Sequence, residues 1–322
     1  MGKGLVALGL VIVFIGLFMM TSLHSPSILR PTSDKSTPPQ TSQESQQIEP
    51  EYETEQHYSE LQVNLYLKSE EWTKASKTDL PLYESTVGYE VSNNGTATVE
   101  EVQVAISIDG AIFEQFSLYS LLPNDSFANQ FTVSINYDDS KHISLTASTQ
   151  GSKDTDALTV NAILPRSRDS HVAKLYITPN DPTIQQTLEN IVKNPLIPDW
   201  IEIRDWVADN IEYRYDNVAH GVSEYWQLPK ETLSLKTGDC EDFSILLCTF
   251  YRAIGWDKSE VYVVVGEKDE ERHAWVKLDV DIIGWQNIEP QAGGLFIFIG
   301  DFLSLSGYTA KYSFNDVYFS RL

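Results

Sequence analysis

Thr237-Gly238-Asp239-Cys240-Glu241-Asp242-Phe243-Ser244 is the stretch on which the reading of this chain turns. Asp239 has the side chain of a helix N-cap, and Asp242, three residues on, completes a capping box. The spacing therefore predicts a helix that begins at Cys240. Apolar residues continue through Ile245, Leu246, Leu247 and Phe250 to about Ile254, and Gly255 supplies the stop. Cys240 would lie in the first turn, where unpaired N–H groups and the helix dipole favour an anion. A thiol so placed is expected to have a lowered pKa and to become a nucleophile once a histidine pairs with it. Cys248, two turns along among Leu246, Leu247 and Phe250, reads as core. Eight helical residues separate the two sulfurs by about 12 Å, too far for a disulfide, whose Cα atoms must lie within about 7 Å.

The partners of such a thiol are sought downstream. His273 opens the strand-like run HAWVKL after the loop 266–272, and Trp275 at i+2 shares its face. Glu289 ends the next run, GWQNIE, just before Pro290. A hairpin turning around Asp279–Ile283 would bring His273 and Glu289 together on one face. Glu289 could then accept the proton-bearing ring nitrogen and fix the tautomer of the imidazole. Asn287, two residues earlier on the same face, is the next candidate for that role.

With these motifs in this order, residues 175–292 resemble the transglutaminase-like, papain-like cysteine enzymes, and in particular the membrane-anchored members of bacteria and archaea. The matching text is YWQLPKET at 225–232, GDCEDFS at 238–244, HAWVKL at 273–278 and GWQNIEP at 284–290. The resemblance implies Cys240 as nucleophile, His273 as general base and acid, and Glu289 in the place of an acid that is more commonly Asp. For the oxyanion or substrate contacts, the backbone N–H of Cys240 is the natural first donor. The indole N–H of Trp226 or the amide of Gln227 would be the second.

The rest of the chain frames this domain. Its 322 residues suit two folded domains. From 59 to 165 short period-two runs (LQVNLYL, STVGYEVS, EVQVAISI, QFTVSINY, HISLTAS, ALTVNAIL) alternate with turn residues such as Asn93-Asn94-Gly95 and Asp109-Gly110. They predict about seven strands in an immunoglobulin- or fibronectin-like sandwich that carries no catalytic set. From 166 to 322 the pattern is mixed, with helices opening at Asp181-Pro182 and near Trp200. Strands follow at VYVVVG, HAWVKL, GWQNIE and LFIFIG, an α+β order. Residues 24–58 are rich in Pro, Ser, Thr, Gln and Glu and read as a disordered stalk. Residues 1–23, almost wholly apolar from Leu5 to Met20, read as a transmembrane anchor. Lys3 would keep the N-terminus cytoplasmic and the remainder extracytoplasmic, a single-pass placement in the cell membrane.

Charge and composition exclude other classes. With 23 basic and 46 acidic residues the net charge is −23, which argues against nucleic acid as a partner. Two cysteines and six scattered histidines give no metal-ligand pattern, so neither a metal nor a cofactor is expected. The expected activity is thiol attack on the amide bonds of a peptide or protein at the cell surface. Hydrolysis is favoured over acyl transfer, because no amine-acceptor site is identifiable. The alternative is a catalytically degenerate domain serving as a cell-surface interaction scaffold.

Overall fold

Alternating burial in the first half of the chain builds seven strands: β1 (Leu61–Lys74), β2 (Pro81–Asn93), β3 (Val99–Ile108), β4 (Ala111–Leu121), β5 (Ser126–Asn136), β6 (Ser140–Ser148) and β7 (Lys153–Asn161). The computed structural model describes residues 57–166, 170–191, 194–293 and 307–322. In β1, Leu61, Val63 and Leu65 are buried while Gln62 and Asn64 are exposed, the period-two signature of a half-buried strand. The strands form two antiparallel sheets, β1-β2-β5 and β4-β3-β6-β7. Val87, Tyr89 and Val91 share one core with Val104, Ile106, Ile143 and Leu145. The free edge of β1 is closed by side chains: the N–H groups of Val63 and Leu65 donate to Asp154 and Asp156 at 2.8 and 2.7 Å. Strand addition there is blocked.

The second half supplies α1 (Ser170–Ala173), α2 (Pro182–Ile191), α3 (Asp199–Asn210), β8 (Glu212–Tyr213), α4 (Asp216–Ala219), α5 (Pro229–Leu235), β9 (Thr237–Gly238) and α6 (Cys240–Ala253). Then come β10 (Val261–Lys268), β11 (Glu271–Val280), β12 (Gly284–Ile288), β13 (Tyr308–Phe314) and β14 (Phe319–Arg321), forming an antiparallel sheet in the order β12-β11-β10-β13-β14. Asp181 caps α2 by accepting the Thr183 N–H at 2.7 Å, with Pro182 in the first helical position, where its missing N–H costs nothing. Helix α6 is buried along nearly its whole length and packs on β10 and β11. Its Phe243, Leu246, Leu247 and Phe250 join Val261, Val263, Val276 and Leu278 in a single core. That packing fixes where the N-terminus of α6 points. The strand expected at LFIFIG lies outside the described residues.

Arg166 ties the two halves together. Its guanidinium donates to both oxygens of Glu231, at 2.6 and 2.9 Å, and to Asp138 of the sandwich at 2.6 Å. It also covers the ring of Tyr225 at 4.7 Å.

One expectation is corrected here. The transmembrane helix over 1–23 and nearly all of the stalk over 24–58 lie outside the described residues. Among the described residues no helix is long and apolar enough to cross a membrane. The longest of them, α6, has 14 residues, about 21 Å against the roughly 30 Å of a hydrocarbon core. An N-terminal anchor and the single-pass placement in the cell membrane are therefore unsupported, and the fold is a β-sandwich followed by an α+β domain.

Candidate active site

The entry to α6 is built by local hydrogen bonds. The Asp239 N–H donates to Asp242 Oδ2 at 3.2 Å, the reciprocal arm of the expected capping box, and the Gln227 N–H donates to Asp242 Oδ1 at 2.8 Å. Gly238 makes this fold-back possible, since a Cβ there would stand 2.6 Å from the Asp242 Cβ. Cys240 is the first helical residue, and its thiol donates to Glu241 Oε2 at 3.1 Å.

The electrostatics differ from the expectation. Burial pushes the Cys240 thiol well above its ordinary pKa, and the neighbouring Glu241 and Asp239 push it further; a backbone hydrogen bond with Ala274 opposes them. The helix dipole is outweighed, because its effect is under about 2 kcal/mol whereas desolvation beside carboxylates is larger. The carboxyls feel the same crowding. Burial raises Asp239 to about 9, helped by Glu241, and raises Asp216 to about 6, helped by Asp239. Glu241 and Asp242 are also shifted upward, burial again leading. Asp239, Cys240 and Glu241 hold ligand atoms within 4.8 Å of one another, as do Asp216, Asp239 and Asp242. That spacing alone would admit a cation; in the protein as it stands, the crowding acts on the thiol.

The imidazole and the acid come from the hairpin. Strands β11 and β12 pair antiparallel with Val276 opposite Ile288 and Lys277 opposite Asn287. Glu289 directly follows β12. His273 Nε2 lies 2.9 Å from Glu289 Oε2 and 3.1 Å from Oε1, which leaves Nδ1 for proton exchange. Glu289 is 5% exposed. Burial raises its pKa, but hydrogen bonds from His273, Tyr308 and Lys268 and the charge of His273 outweigh burial and hold it below the usual carboxylate range. Asn287 is engaged elsewhere, its Oδ1 accepting the Trp275 indole N–H at 3.0 Å.

Cys240 and His273 line one cleft of about 320 Å³ together with Tyr213, Tyr215, Glu224 and Arg272. Trp226 also borders it, yet its indole N–H is committed to Glu224 Oε1 at 2.9 Å, and the ring is packed edge-on to Tyr176 and stacked on Phe314. The Gln227 side chain is fully buried and its amide nitrogen sits 3.2 Å from His220 Nε2. The donors expected of these two residues thus serve other partners, and the Cys240 N–H at the helix start remains the candidate oxyanion donor. Cys248 is fully buried, as its apolar neighbours suggested, and both thiols are free. Sequence reading missed Lys268 and Tyr308 on Glu289, and the Arg272–Glu224 ion pair (3.1 Å) at the cleft. No local pattern marks contacts between such distant positions.

Residues 185–290 match the family model of the Transglutaminase-like superfamily, and residues 60–161 match that of CARDB. The second match falls on the seven-stranded sandwich. Among solved structures, the CARDB domain of a Pyrococcus furiosus protein in complex with di-metal ions is 18% identical, with 35% of this chain and 100% of that one covered and a TM-score of 0.26. Calcium-bound Legionella pneumophila LapG is 14% identical, with 48% of this chain and 81% of that one covered and a TM-score of 0.34. No curated protein matches the chain.

Proposed function

We propose, from the premise that the C-terminal domain belongs to the transglutaminase-like superfamily, that it is a thiol enzyme cleaving amide bonds of peptides or proteins through Cys240, His273 and Glu289. The observation that carries the reading is the meeting of three elements. The first turn of α6 and the start of β11 share a cleft, and the end of β12 holds the His273 ring at 2.9 Å.

The raised thiol pKa makes the resting state a neutral thiol. His273 Nδ1 takes the proton as the sulfur attacks the carbonyl carbon, forming the S–C bond and a tetrahedral oxyanion next to the Cys240 N–H. Collapse breaks the C–N bond, and the imidazolium gives its proton to the departing amine. Water, deprotonated by His273, then attacks the thioester, releasing a carboxylic acid and restoring the thiol. Glu289 orients the ring and stabilises its cationic form throughout. Hydrolysis is favoured over transfer because Arg272 and Tyr215, at 65% and 64% exposed, leave the cleft open to water.

One observation favours the second reading, a domain that has lost turnover and serves as a scaffold: burial, and after it the carboxyls of Glu241 and Asp239, hold the Cys240 proton on. The deciding experiment incubates the full chain with a peptide library and a small primary amine and reads the products by mass spectrometry. Cleaved peptides that are absent with Cys240→Ala support the hydrolase, and amine-tagged peptides support transfer. No product together with an unreactive Cys240 supports the scaffold.

A further inference from the structure

We propose that Lys268 and Tyr308 are positioning residues, which anchor the Glu289 carboxylate through Oε1 so that it faces the His273 ring. The inference deepens the functional reading above and rests on it. Glu289 has a long side chain with several rotatable bonds, so it has rotamer freedom to lose before it can orient anything. Its Oε1 accepts from Lys268 Nζ at 3.0 Å and from the Tyr308 hydroxyl and lies 3.1 Å from His273 Nε2, while Oε2 makes the shorter contact with that nitrogen at 2.9 Å. Lys268 and Tyr308 stand directly opposite one another on β10 and β13. The Lys268 ammonium lies 4.9 Å from the centre of the Tyr308 ring. That ring packs 4.9 Å from Trp275, and Trp275 lies nearly parallel to His273, at 16° and 6.1 Å. Clamp, carboxylate and imidazole form one packed unit. An ordinary surface ion pair would leave both partners wet, whereas the Glu289 side chain is 6% exposed.

The clamp has an electrical consequence. Other charged groups approach His273 from α6 (Asp239 and Glu241, beside the Cys240 thiol) and from its neighbour Arg272, which is held by Glu224. On β13, Lys311 is paired with Glu267 of β10. Against this fixed background the Lys268 ammonium cancels part of the field that Glu289 exerts on the ring. Removing it should favour imidazolium. Lys268 Nζ at 3.0 Å and His273 Nε2 at 3.1 Å share Glu289 Oε1, so the ammonium stands at most about 6 Å from that ring nitrogen, close enough for its charge to act on the ring.

The test is an NMR titration of the His273 ring in the full chain carrying Cys240→Ala, which removes the thiol from the equilibrium; His273→Gln assigns the signal. Lys268→Met should raise the midpoint by about 0.5–1.5 units, Lys268→Arg should restore it, and Tyr308→Phe should raise it by less. Glu289→Gln should lower it. An unmoved midpoint in Lys268→Met, with Glu289→Gln still lowering it, overturns the clamp alone. An unmoved midpoint in Glu289→Gln overturns the Cys240–His273–Glu289 reading and the clamp with it. Should Lys268→Met fail to fold, Lys268→Gln makes the same removal of charge with a polar side chain.

Discussion

Glu241 is the residue whose removal should make the thiol more reactive. Its carboxylate takes the Cys240 S–H at 3.1 Å inside a buried cluster. A thiolate and a carboxylate about 3 Å apart, at an effective dielectric near 20, repel by about 5 kcal/mol if both are fully charged. Burial also shifts Glu241 itself toward the protonated form, so only part of that repulsion acts at neutral pH. Glu241→Gln keeps the size and a polar group but removes the charge. The apparent thiol pKa should fall by about 1–2 units and alkylation at pH 7.5 should accelerate about 10- to 100-fold. The assay is the second-order rate of iodoacetamide modification followed by peptide mass spectrometry from pH 5 to 10, with buried Cys248 as an internal control. An unchanged or slower rate in a variant that melts like the wild type would refute the carboxylate control of this thiol.

Cys248→Ser puts a hydroxyl into the buried core around α6 and should cost about 1–3 kcal/mol, read by chemical denaturation, with Cys240 reactivity unchanged. Glu289→Gln should lower turnover about 10²- to 10⁴-fold with little change in Tm, and Glu289→Asp should lie between it and wild type; equality of Gln and wild type would remove Glu289 from the site. Because Asp216 and Asp239 have folded pKa values raised to about 6 and about 9, folding binds protons between pH 4 and 9 and stability falls as pH rises through that window. The Tm should drop by roughly 2–6 °C from pH 5 to 9, and Asp216→Asn should flatten the lower part of that fall; a Tm that rises with pH would contradict it.

What was legible in the sequence is what local chemistry decides. The capping box and Gly255 bounded α6 because both act within a turn, and the period of two fixed which residues of β11 and β12 share a face. His273 and Glu289 could therefore be paired across a hairpin before their register was known. Strand β4 is hard to read because Ile112 and Phe113 are adjacent and exposed, and only Phe116 and Leu118 alternate inward onto the core. The thiol was expected to be acidified because a sequence displays the helix terminus but not the depth of burial or the facing carboxyls. The place of Trp226 and Gln227 in the chain suggests donors to the cleft, whereas Glu224 and His220 occupy their N–H groups. Lys268 and Tyr308 reach Glu289 from two further strands of the sheet, a contact that depends on the strand order.

The most direct test of thiol catalysis is to trap the covalent intermediate. The full chain is mixed with a peptide substrate pool, quenched in acid within the first turnovers, and digested for mass spectrometry. Catalysis through Cys240 predicts an acyl adduct on the Cys240 peptide that hydroxylamine releases, absent in Cys240→Ala and formed far more slowly in His273→Ala. Turnover without that adduct, or an adduct that forms as fast in His273→Ala, would contradict it.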